Sequence, residues 1–387
     1  MIGINLHFDY RDIFKAPRLA GGKSVWIFLT GNLLGYIIYW FLAIISFALT
    51  DEFSIADVLS DFGLYPCLFG NDAPILSWIF YWLGITIWIF SIFLSCTAVS
   101  HVTLNRLKGN DFFSSKDAWN YVKKHWHPVV FTSFTILIII SIFIIFASIF
   151  AFICKIPIIG PFLYVIPYPI YIFGSIFTIF SFIVFVISIL YVPSIVGTYR
   201  EDTMGTIFQS YAITVSQPWR IIFYNFILLP ITYLSINLLS WVYHAAIGLM
   251  NFIFGLIIGK PFDNIFSFSS SIVFPEILVN YVNTRLSLLD LTYLIPDINS
   301  SYSYLSFPNT LAGIILSLFL FLICLSVLSY GLSVFSVGNT LAFIIFKKLT
   351  DDDNLIERQI DEEELDIDDA FFESQDKDSF DVLGEEE

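Results

Sequence analysis

Apolar residues form six long runs along the chain, and the segments between these runs hold most of the charged residues. Each run exceeds the length of about 18 residues that a helix needs to cross the hydrocarbon core of a bilayer. The short alternation of apolar and polar residues that is typical of membrane β-barrels is not seen. The pattern therefore predicts an all-α transmembrane bundle with six spans, at about 24–49, 75–99, 129–153, 170–193, 219–249 and 310–340.

The composition agrees with this pattern. Hydrophobic residues make up 57% of the 387 residues and charged residues only 13%, and the mean hydropathy is +0.80. A soluble globular protein is about half apolar and about a quarter charged. These values indicate an integral membrane protein whose main partner is the lipid bilayer.

The distribution of charge predicts which ends of the spans face the cytoplasm. Lysine and arginine gather in the cytoplasmic loops of membrane proteins. If the N-terminus is cytoplasmic, 15 of the 18 basic residues lie on the cytoplasmic side. The first outer loop, residues 50–74, then holds five acidic residues and no basic one. We therefore expect both termini in the cytoplasm.

Residues 1–23 form a charged segment that directly precedes the first span. Arg11, Lys15 and Arg18 alternate with apolar residues. This alternation predicts a short helix on the cytoplasmic membrane surface, with its apolar side towards the lipid. Pro17 limits the helix. The segment is either a juxtamembrane anchor or a site for a lipid headgroup or another ligand.

The loop after the second span predicts another interfacial helix. Ser114 or Ser115 can cap this helix, and Lys123 and Lys124 follow among aromatic residues. Basic and aromatic residues together can bind nucleic acid. Here they lie at the depth of the membrane, so we interpret them as contacts with lipid and expect no nucleic-acid partner.

Four prolines interrupt the apolar segment 156–169 between the third and fourth spans. Proline removes a backbone donor and breaks a helix, and irregular backbone at membrane depth has to be packed on protein. We therefore expect an outer hairpin or a shallow re-entrant segment packed on the bundle. This segment is also the first candidate for a substrate path.

Hydroxyl side chains follow one face of the sixth span: Ser326, Ser329, Ser333, Ser336 and Thr340. Small residues at this spacing let helices approach closely, and a polar conduit is the alternative. Two glycine pairs predict the same close packing, namely Gly31 and Gly35 in the first span and Gly255 and Gly259 after the fifth. The apolar run continues to Phe346, so span six either extends into the cytoplasm or bends near Gly338.

Candidate chemistry is sparse. No acidic residue, lysine or arginine lies in the middle of a span, which argues against an ion-coupled transporter. The sequence contains no nucleotide-binding, hydrolase or metalloprotease motif and no cysteine spacing typical of zinc sites. We therefore expect no cofactor, no metal and no enzymatic activity. Candidates for a polar path are His244 and Asn237 in the fifth span, with Ser329 and Ser333 in the sixth.

Two further clusters extend the predicted cytoplasmic surface. Arg200, Glu201 and Asp202 follow the fourth span, and Trp219 and Arg220 begin the fifth. With the N-terminal segment, the basic loop and the two lysines at the end of the sixth span, they form a surface of 13 basic and six acidic residues. The charges of this surface pair with one another or provide an interface for a partner.

Residues 351–387 form an acidic tail with 18 acidic and two basic residues, which accounts for the net charge of −15 of the whole chain. The tail is too acidic and too poor in apolar residues to fold alone, so we expect it to be disordered. Scattered leucine, isoleucine and phenylalanine residues would allow it to dock on a basic surface or a protein partner. A solvated tail is the alternative.

Several short motifs together resemble an uncharacterised family of bacterial six-span membrane proteins. In chain order they are Ala16-Pro17-Arg18, Pro193, Glu201-Asp202, Ser210, Pro218-Trp219-Arg220 and the junction from Lys347-Lys348 to Asp351. The resemblance implies a bacterial inner membrane and a fourth span that ends at its proline. The middle motifs also loosely resemble the membrane domain attached to some glycerophosphodiester phosphodiesterases. The catalytic domain of those enzymes has no counterpart in this sequence, so their activity is not implied.

The sequence thus predicts a cytoplasmic segment 1–23, a six-span domain 24–350 with a long outer segment 260–309, and an acidic tail 351–387. The first hypothesis is a non-catalytic scaffold or complex subunit that binds partners through its cytoplasmic face and tail. The second is a transporter or lipid-handling permease with its path near 156–169. The oligomeric state is left open.

Overall fold

A computed structural model describes residues 6–50, 62–68, 73–110, 112–157, 159–275, 279–280 and 305–357. These residues contain helices and no strand, and six of the helices are long and apolar enough to cross a membrane. The prediction of an all-α bundle with six spans is confirmed. Most of the outer segment 260–309 and the tail beyond residue 357 lie outside the described residues.

Short and long helices alternate along the chain. A 3-10 helix (Tyr10–Lys15) continues directly into α1 (Ala16–Leu19). The six spanning helices are α2 (Lys23–Ala48), α3 (Ile75–Leu107), α5 (Trp126–Ile153), α7 (Tyr168–Tyr199), α9 (Pro218–Ile258) and α11 (Phe307–Thr350). The other short helices described are α4 (Ser115–Lys124), α6 (Gly160–Val165), α8 (Thr203–Ser216) and α10 (Lys260–Val273).

The spanning helices extend past the predicted ends. α3 continues to Leu107 instead of residue 99, and α7 runs through Pro193 to Tyr199, although we expected it to end at the proline. α9 likewise passes through Pro230. A membrane helix tolerates proline where neighbouring helices surround the interrupted backbone. Such neighbours are present at the first of these prolines, because every residue from 191 to 198 is buried.

The last spanning helix, α11, is unbroken over its 44 residues. At a rise of about 1.5 Å per residue it is roughly 66 Å long, about twice the thickness of a bilayer core. The helix does not turn into an interfacial helix near Gly338. A Cβ atom at this position would lie 2.1 Å from Leu228 Cδ1, and residues 336–347 are all buried. The extra length is therefore packed inside protein.

Most of the buried hydrophobic side chains belong to two clusters at opposite ends of the bundle. The larger cluster includes Ile13, Tyr121, Tyr191 and Leu355, so it joins segments from both ends of the chain. We call this end, formed by residues 6–22, 112–124, 200–220 and 347–357, the basic end. The smaller cluster joins α2, α3, α10 and α11 at the far end.

Glycine allows α2 and α3 to pack closely, as predicted for one of the two pairs. A Cβ atom at Gly31 would lie 2.0 Å from Ser95 Oγ, and one at Gly35 would lie 2.7 Å from Trp88 Cδ1. The prediction for the second pair is wrong. Gly259 has open space around it and ends α9 with a φ of +74°, a conformation that favours glycine.

The proline-rich segment 156–169 packs on the bundle less than we expected, with Leu163 and Tyr164 in contact with Tyr171 of α7. It forms α6, a single short helix that joins α5 to α7. Phe162, Val165 and Ile166 are 66%, 63% and 76% exposed, so the apolar side chains point away from the protein. Pro161 lies in the first turn of α6, where a missing backbone N–H costs nothing. The segment is therefore a helical connection at the far end.

Candidate functional site

The N-terminal segment (residues 6–22) is built into the basic end of the bundle. Asp9 caps the 3-10 helix through its side chain, and the helix lies against α9 and α11. Ile13 and Ala16 are fully buried and Leu19 is nearly so. The prediction that this apolar side rests on lipid is wrong, because the long α11 provides a protein surface at that depth. Phe14, on the other side, is 60% exposed.

A buried carboxylate holds this segment in shape. Asp12 is fully buried, and its Oδ2 accepts hydrogen bonds from the backbone N–H groups of His7 at 2.9 Å and Asp9 at 3.4 Å. Its Oδ1 lies 2.7 Å from Lys15 Nζ. A buried charge is stable only when it is paired and hydrogen-bonded. This role was not predicted, although Asp9 and Asp12 have the spacing of a capping box.

Backbone carbonyls of the N-terminal segment accept hydrogen bonds from the rest of the bundle. Ser333 Oγ donates to the carbonyl of Ala20 at 2.8 Å, and Arg106 Nη1 donates to the carbonyl of Leu19 at 2.7 Å. The end of a helix leaves carbonyl groups unsatisfied. The two donors, one from α11 and one from α3, therefore fix the end of α1 beneath the spans.

The hydroxyl face of α11 forms a buried polar ladder along the bundle interior. The Asn32 amide donates to Ser329 Oγ at 3.2 Å, and Ser336 Oγ donates to the carbonyl of Cys96 at 3.1 Å. Thr340 Oγ1 lies 2.8 Å from Ser100 Oγ. All of these hydrogen bonds connect α11 to neighbouring helices. Of the two alternatives for this face, the structure has close helix packing.

Replacing Thr340 by valine tests the ladder. The change removes one hydroxyl from a buried contact between α11 and α3, and we expect a loss of about 1 kcal/mol in unfolding free energy. The measurement is unfolding in mixed detergent micelles. Thr178→Val is the matched control, because Thr178 Oγ1 bonds only within its own helix, to the carbonyl of Gly174. Equal losses in both variants would contradict a structural role for the ladder.

The four residues predicted to form a polar path face different neighbours. Ser329 and Ser333 point to α2 and to the N-terminal segment, as described above. The Asn237 amide donates to the carbonyl of Tyr233, one turn earlier in α9. His244 is half-buried further along the same helix. The hydrogen-bond partners of Ser329, Ser333 and Asn237 thus lie in three different places.

An aromatic stack at the basic end was not predicted. The rings of His101 and Tyr121 are parallel, with centroids 3.8 Å apart, and the tyrosine hydroxyl donates to the carbonyl of Val196 at 2.5 Å. The His101 Nδ1 atom lies 2.9 Å from the carbonyl of Gly197. The stack joins α3, α4 and α7. The predicted second span ends at residue 99, which leaves His101 in the following loop. In the structure α3 continues to Leu107 and includes His101.

Basic side chains are exposed around this packed end. Arg200 lies above the Tyr121 ring, with its guanidinium carbon 5.8 Å from the ring centroid. The exposed members of the set are Arg11, Arg18, Lys116, Lys123, Lys124, Arg200 and Arg220. Trp219 is 80% exposed beside Arg220. The structure therefore brings most of the predicted interface residues to one end, on four different elements.

The acidic pair after the fourth span has a local role. Asp202 caps α8, and its Oδ1 accepts a hydrogen bond from the backbone N–H of Gly205 at 2.7 Å. Glu201 lies over the same helix start, because a Cβ atom at Gly205 would meet its Oε2 at 2.0 Å. Acidic groups stabilise the N-terminus of a helix. Both therefore act on α8.

The first residues of the acidic tail fold back onto the basic end. Lys347 Nζ lies 2.6 Å from Asp351 Oδ2, and Lys348 Nζ lies 2.8 Å from Asp352 Oδ1. The second contact lowers the pKa of Asp352. Leu355 is 2% exposed and belongs to the larger apolar cluster. The prediction of a disordered tail is thus wrong for residues 351–357.

A small cleft lies where the tail leaves α11. It is a shallow depression with a volume of only about 20 Å³, and α8 and the end of α11 form its walls. The lining includes Ile213, Phe346, Lys347 and Thr350. The described residues contain no group of three or more histidine, cysteine or acidic side chains that could hold a metal ion.

Comparisons with protein-family models, with curated proteins and with solved structures find no match for this chain. The six long apolar helices make this chain a multi-pass membrane protein. The resemblance to a bacterial six-span family stays a prediction.

Proposed function

We propose that the protein is a non-catalytic scaffold or subunit of a membrane complex, which binds a protein partner through its basic end and its acidic tail. We further propose that it lies in the inner membrane of a bacterium, with the basic end and both termini in the cytoplasm. This orientation follows the bias of lysine and arginine towards cytoplasmic loops.

The observation that carries the proposal is the construction of the basic end. Its interior is packed from six or more segments and includes a fully buried carboxylate, Asp12. Its exterior displays arginine and lysine side chains on the N-terminal segment, α4, α9 and the turn after α7. A rigid support with exposed charges favours binding, because the charges are held in place before a partner arrives.

A permease has weaker support. Its proposed path used the segment 156–169, whose apolar side chains are exposed, and a serine face whose hydroxyls are engaged in helix contacts. A substrate path needs polar groups that line an open route and are able to exchange their partners. The described part of the bundle uses these groups to hold helices together.

Purification of the tagged protein with its binding partners tests the scaffold function. We compare the full-length chain with a chain that ends after Glu357, in gentle detergent, and identify co-purifying proteins by mass spectrometry. The shorter chain keeps Leu355 in its buried position, so the body of the protein is unchanged. We expect a stoichiometric partner that is present with the full chain and absent with the shorter one.

A matched control keeps the tail length and changes its charge. In a full-length variant, the acidic residues from 361 to 369 are replaced by asparagine and glutamine. If charge drives the contact, the partner is lost from this variant as well. The proposal is abandoned if no stoichiometric partner accompanies the full chain, or if the same partner accompanies the chain that ends after Glu357.

A further inference from the structure

We propose that the acidic segment 358–387 docks on the basic end of its own chain when no partner is bound. The surface consists of exposed side chains on four elements of the basic end: Arg11, Lys116, Lys123, Arg200 and Arg220. The inference concerns the surface used in the proposed function. Its test needs only the purified protein, so the two proposals can fail separately.

The place where the described chain stops supports this inference. Leu355 is buried in the apolar cluster that also contains Ile13 and Tyr121. Arg11 lies two residues before Ile13, and Arg200 lies above the ring of Tyr121. The tail therefore starts at the larger apolar cluster, and Arg11 and Arg200 lie next to other members of the same cluster. It needs no long connection to reach them.

Charge complementarity is strong on both sides of the proposed contact. Residues 358–387 contain 14 acidic and two basic residues, against the 13 basic and six acidic residues of the surface. Two of those six acids are already engaged, because Asp12 is buried with Lys15 and Asp202 caps α8. Lys15, Lys347 and Lys348 are likewise paired, and the exposed basic side chains lie on the N-terminal segment, α4, α9 and the turn after α7.

The first acidic residues of the tail already make the proposed kind of contact. Asp351 and Asp352 each form an ion pair with a lysine of α11 one turn earlier. Fourteen residues separate the start of this segment from Phe371, and a random coil of that length has an end-to-end distance of about 20 Å. A segment tethered this closely has an effective concentration in the millimolar range, so weak contacts are sufficient for docking.

Apolar side chains of the tail give the contact a second component. Leu365, Ile367, Phe371 and Phe372 lie among the acids. The shallow cleft between α8 and the end of α11 begins where the tail leaves the helix, and its lining combines Ile213 and Phe346 with polar residues such as Lys347. Acidic residues interspersed with apolar ones fit a surface that combines basic groups with such a cleft.

Photo-crosslinking in the purified full-length protein tests the inference. The photoreactive amino acid p-benzoylphenylalanine replaces Phe371, and the protein is placed in nanodiscs of zwitterionic lipid without any partner. After irradiation, mass spectrometry identifies the attached peptides. We expect crosslinks within the same chain to residues 10–18, 115–124 or 200–220. Their yield should fall about five-fold or more between 0.05 M and 0.5 M salt, because salt screens exposed charges.

Two controls accompany this measurement. In the first, the acidic residues from 361 to 369 are replaced by their amides, which leaves the body and its topology signals untouched, and the crosslinks should be lost. In the second, the photoreactive residue replaces Phe112, which is 85% exposed at the basic end, and the crosslink pattern to its local neighbours should not depend on tail charge.

The outcomes separate the possible occupants of the surface. Crosslinks to the basic end that depend on tail charge support docking of the chain's own tail. The inference is overturned if Phe371 crosslinks only to lipid, only to a second copy of the protein, or to nothing. It is also overturned if the crosslinks persist after the acids are neutralised. None of these results depends on whether a partner protein co-purifies.

Discussion

Replacing Gly197 by alanine is expected to destabilise the protein by about 3 kcal/mol, because overpacking of a tight contact forces the backbone to shift. A Cβ atom at this position would lie 2.7 Å from the backbone carbonyl oxygen of Thr97 and 3.2 Å from the backbone nitrogen of His101. Both atoms belong to α3, so neither can rotate away. The change pushes α7 away from α3 next to Val196 and Gly197, whose carbonyl groups contact Tyr121 and His101. Unfolding in mixed detergent micelles measures the loss.

Gly174→Ala is the matched control for this substitution. Both glycines lie inside α7, but a Cβ atom at Gly174 meets nothing within 4 Å. Alanine is a better helix former than glycine, so this variant should be more stable by about 0.5–1 kcal/mol. The two changes are chemically identical and are expected to act in opposite directions. If both variants are stabilised, the close approach of α7 and α3 is refuted.

Replacing Ile13 by alanine is the second large prediction, with an expected cost of about 3 kcal/mol. Ile13 is fully buried between the 3-10 helix and the spans. Truncation of a buried isoleucine removes apolar contacts and leaves a cavity. The same unfolding assay measures this cost. A loss of this size would show that the N-terminal segment belongs to the folded core.

The neighbouring residue provides the control. Phe14 is larger than Ile13 but 60% exposed, and Phe14→Ala is expected to cost less than about 1 kcal/mol. A segment that rests on lipid with its apolar side would give both residues similar importance. Losses of similar size for Phe14→Ala and Ile13→Ala would therefore restore the interfacial interpretation.

The basic end explains why a charged segment precedes a membrane span in this protein. Its charged residues belong to two classes with different roles. Asp12 and Lys15 stabilise the segment internally, whereas Arg11 and Arg18 are exposed. Removing a partner from a buried ion pair is strongly destabilising, while exposed charges can change with little effect on stability. Binding variants should therefore be made at the exposed arginines.

The hydrophobic pattern alone determined that the protein has six spanning helices. A bilayer imposes a minimum length on each apolar run, and the backbone has to satisfy its hydrogen bonds within the helix. The cap of α4 by Ser114 was also among the predicted alternatives, because an N-cap depends on neighbouring residues. Local rules are sufficient for such features.

The ends of the helices were decided by the tertiary structure. Hydropathy does not distinguish a polar residue in a loop from a polar residue packed between helices. His101 and the residues from Ser194 to Thr198 continue their helices because neighbouring elements surround them. Pro193 stays inside α7 for the same reason. The sequence rule for proline describes an isolated helix, and packing overrides it here.

The sequence by itself determined the class of protein, the number of spans, close helix packing at Gly31 and Gly35, and the concentration of charge in particular segments. Only the tertiary structure decided that residues 6–22 and Leu355 pack beneath the spans, that the serines of α11 hold helices together, and that 156–169 points outward. The physical reason is that periodicity shows whether a side chain avoids water, whereas its neighbour, lipid or protein, depends on elements that are distant in sequence.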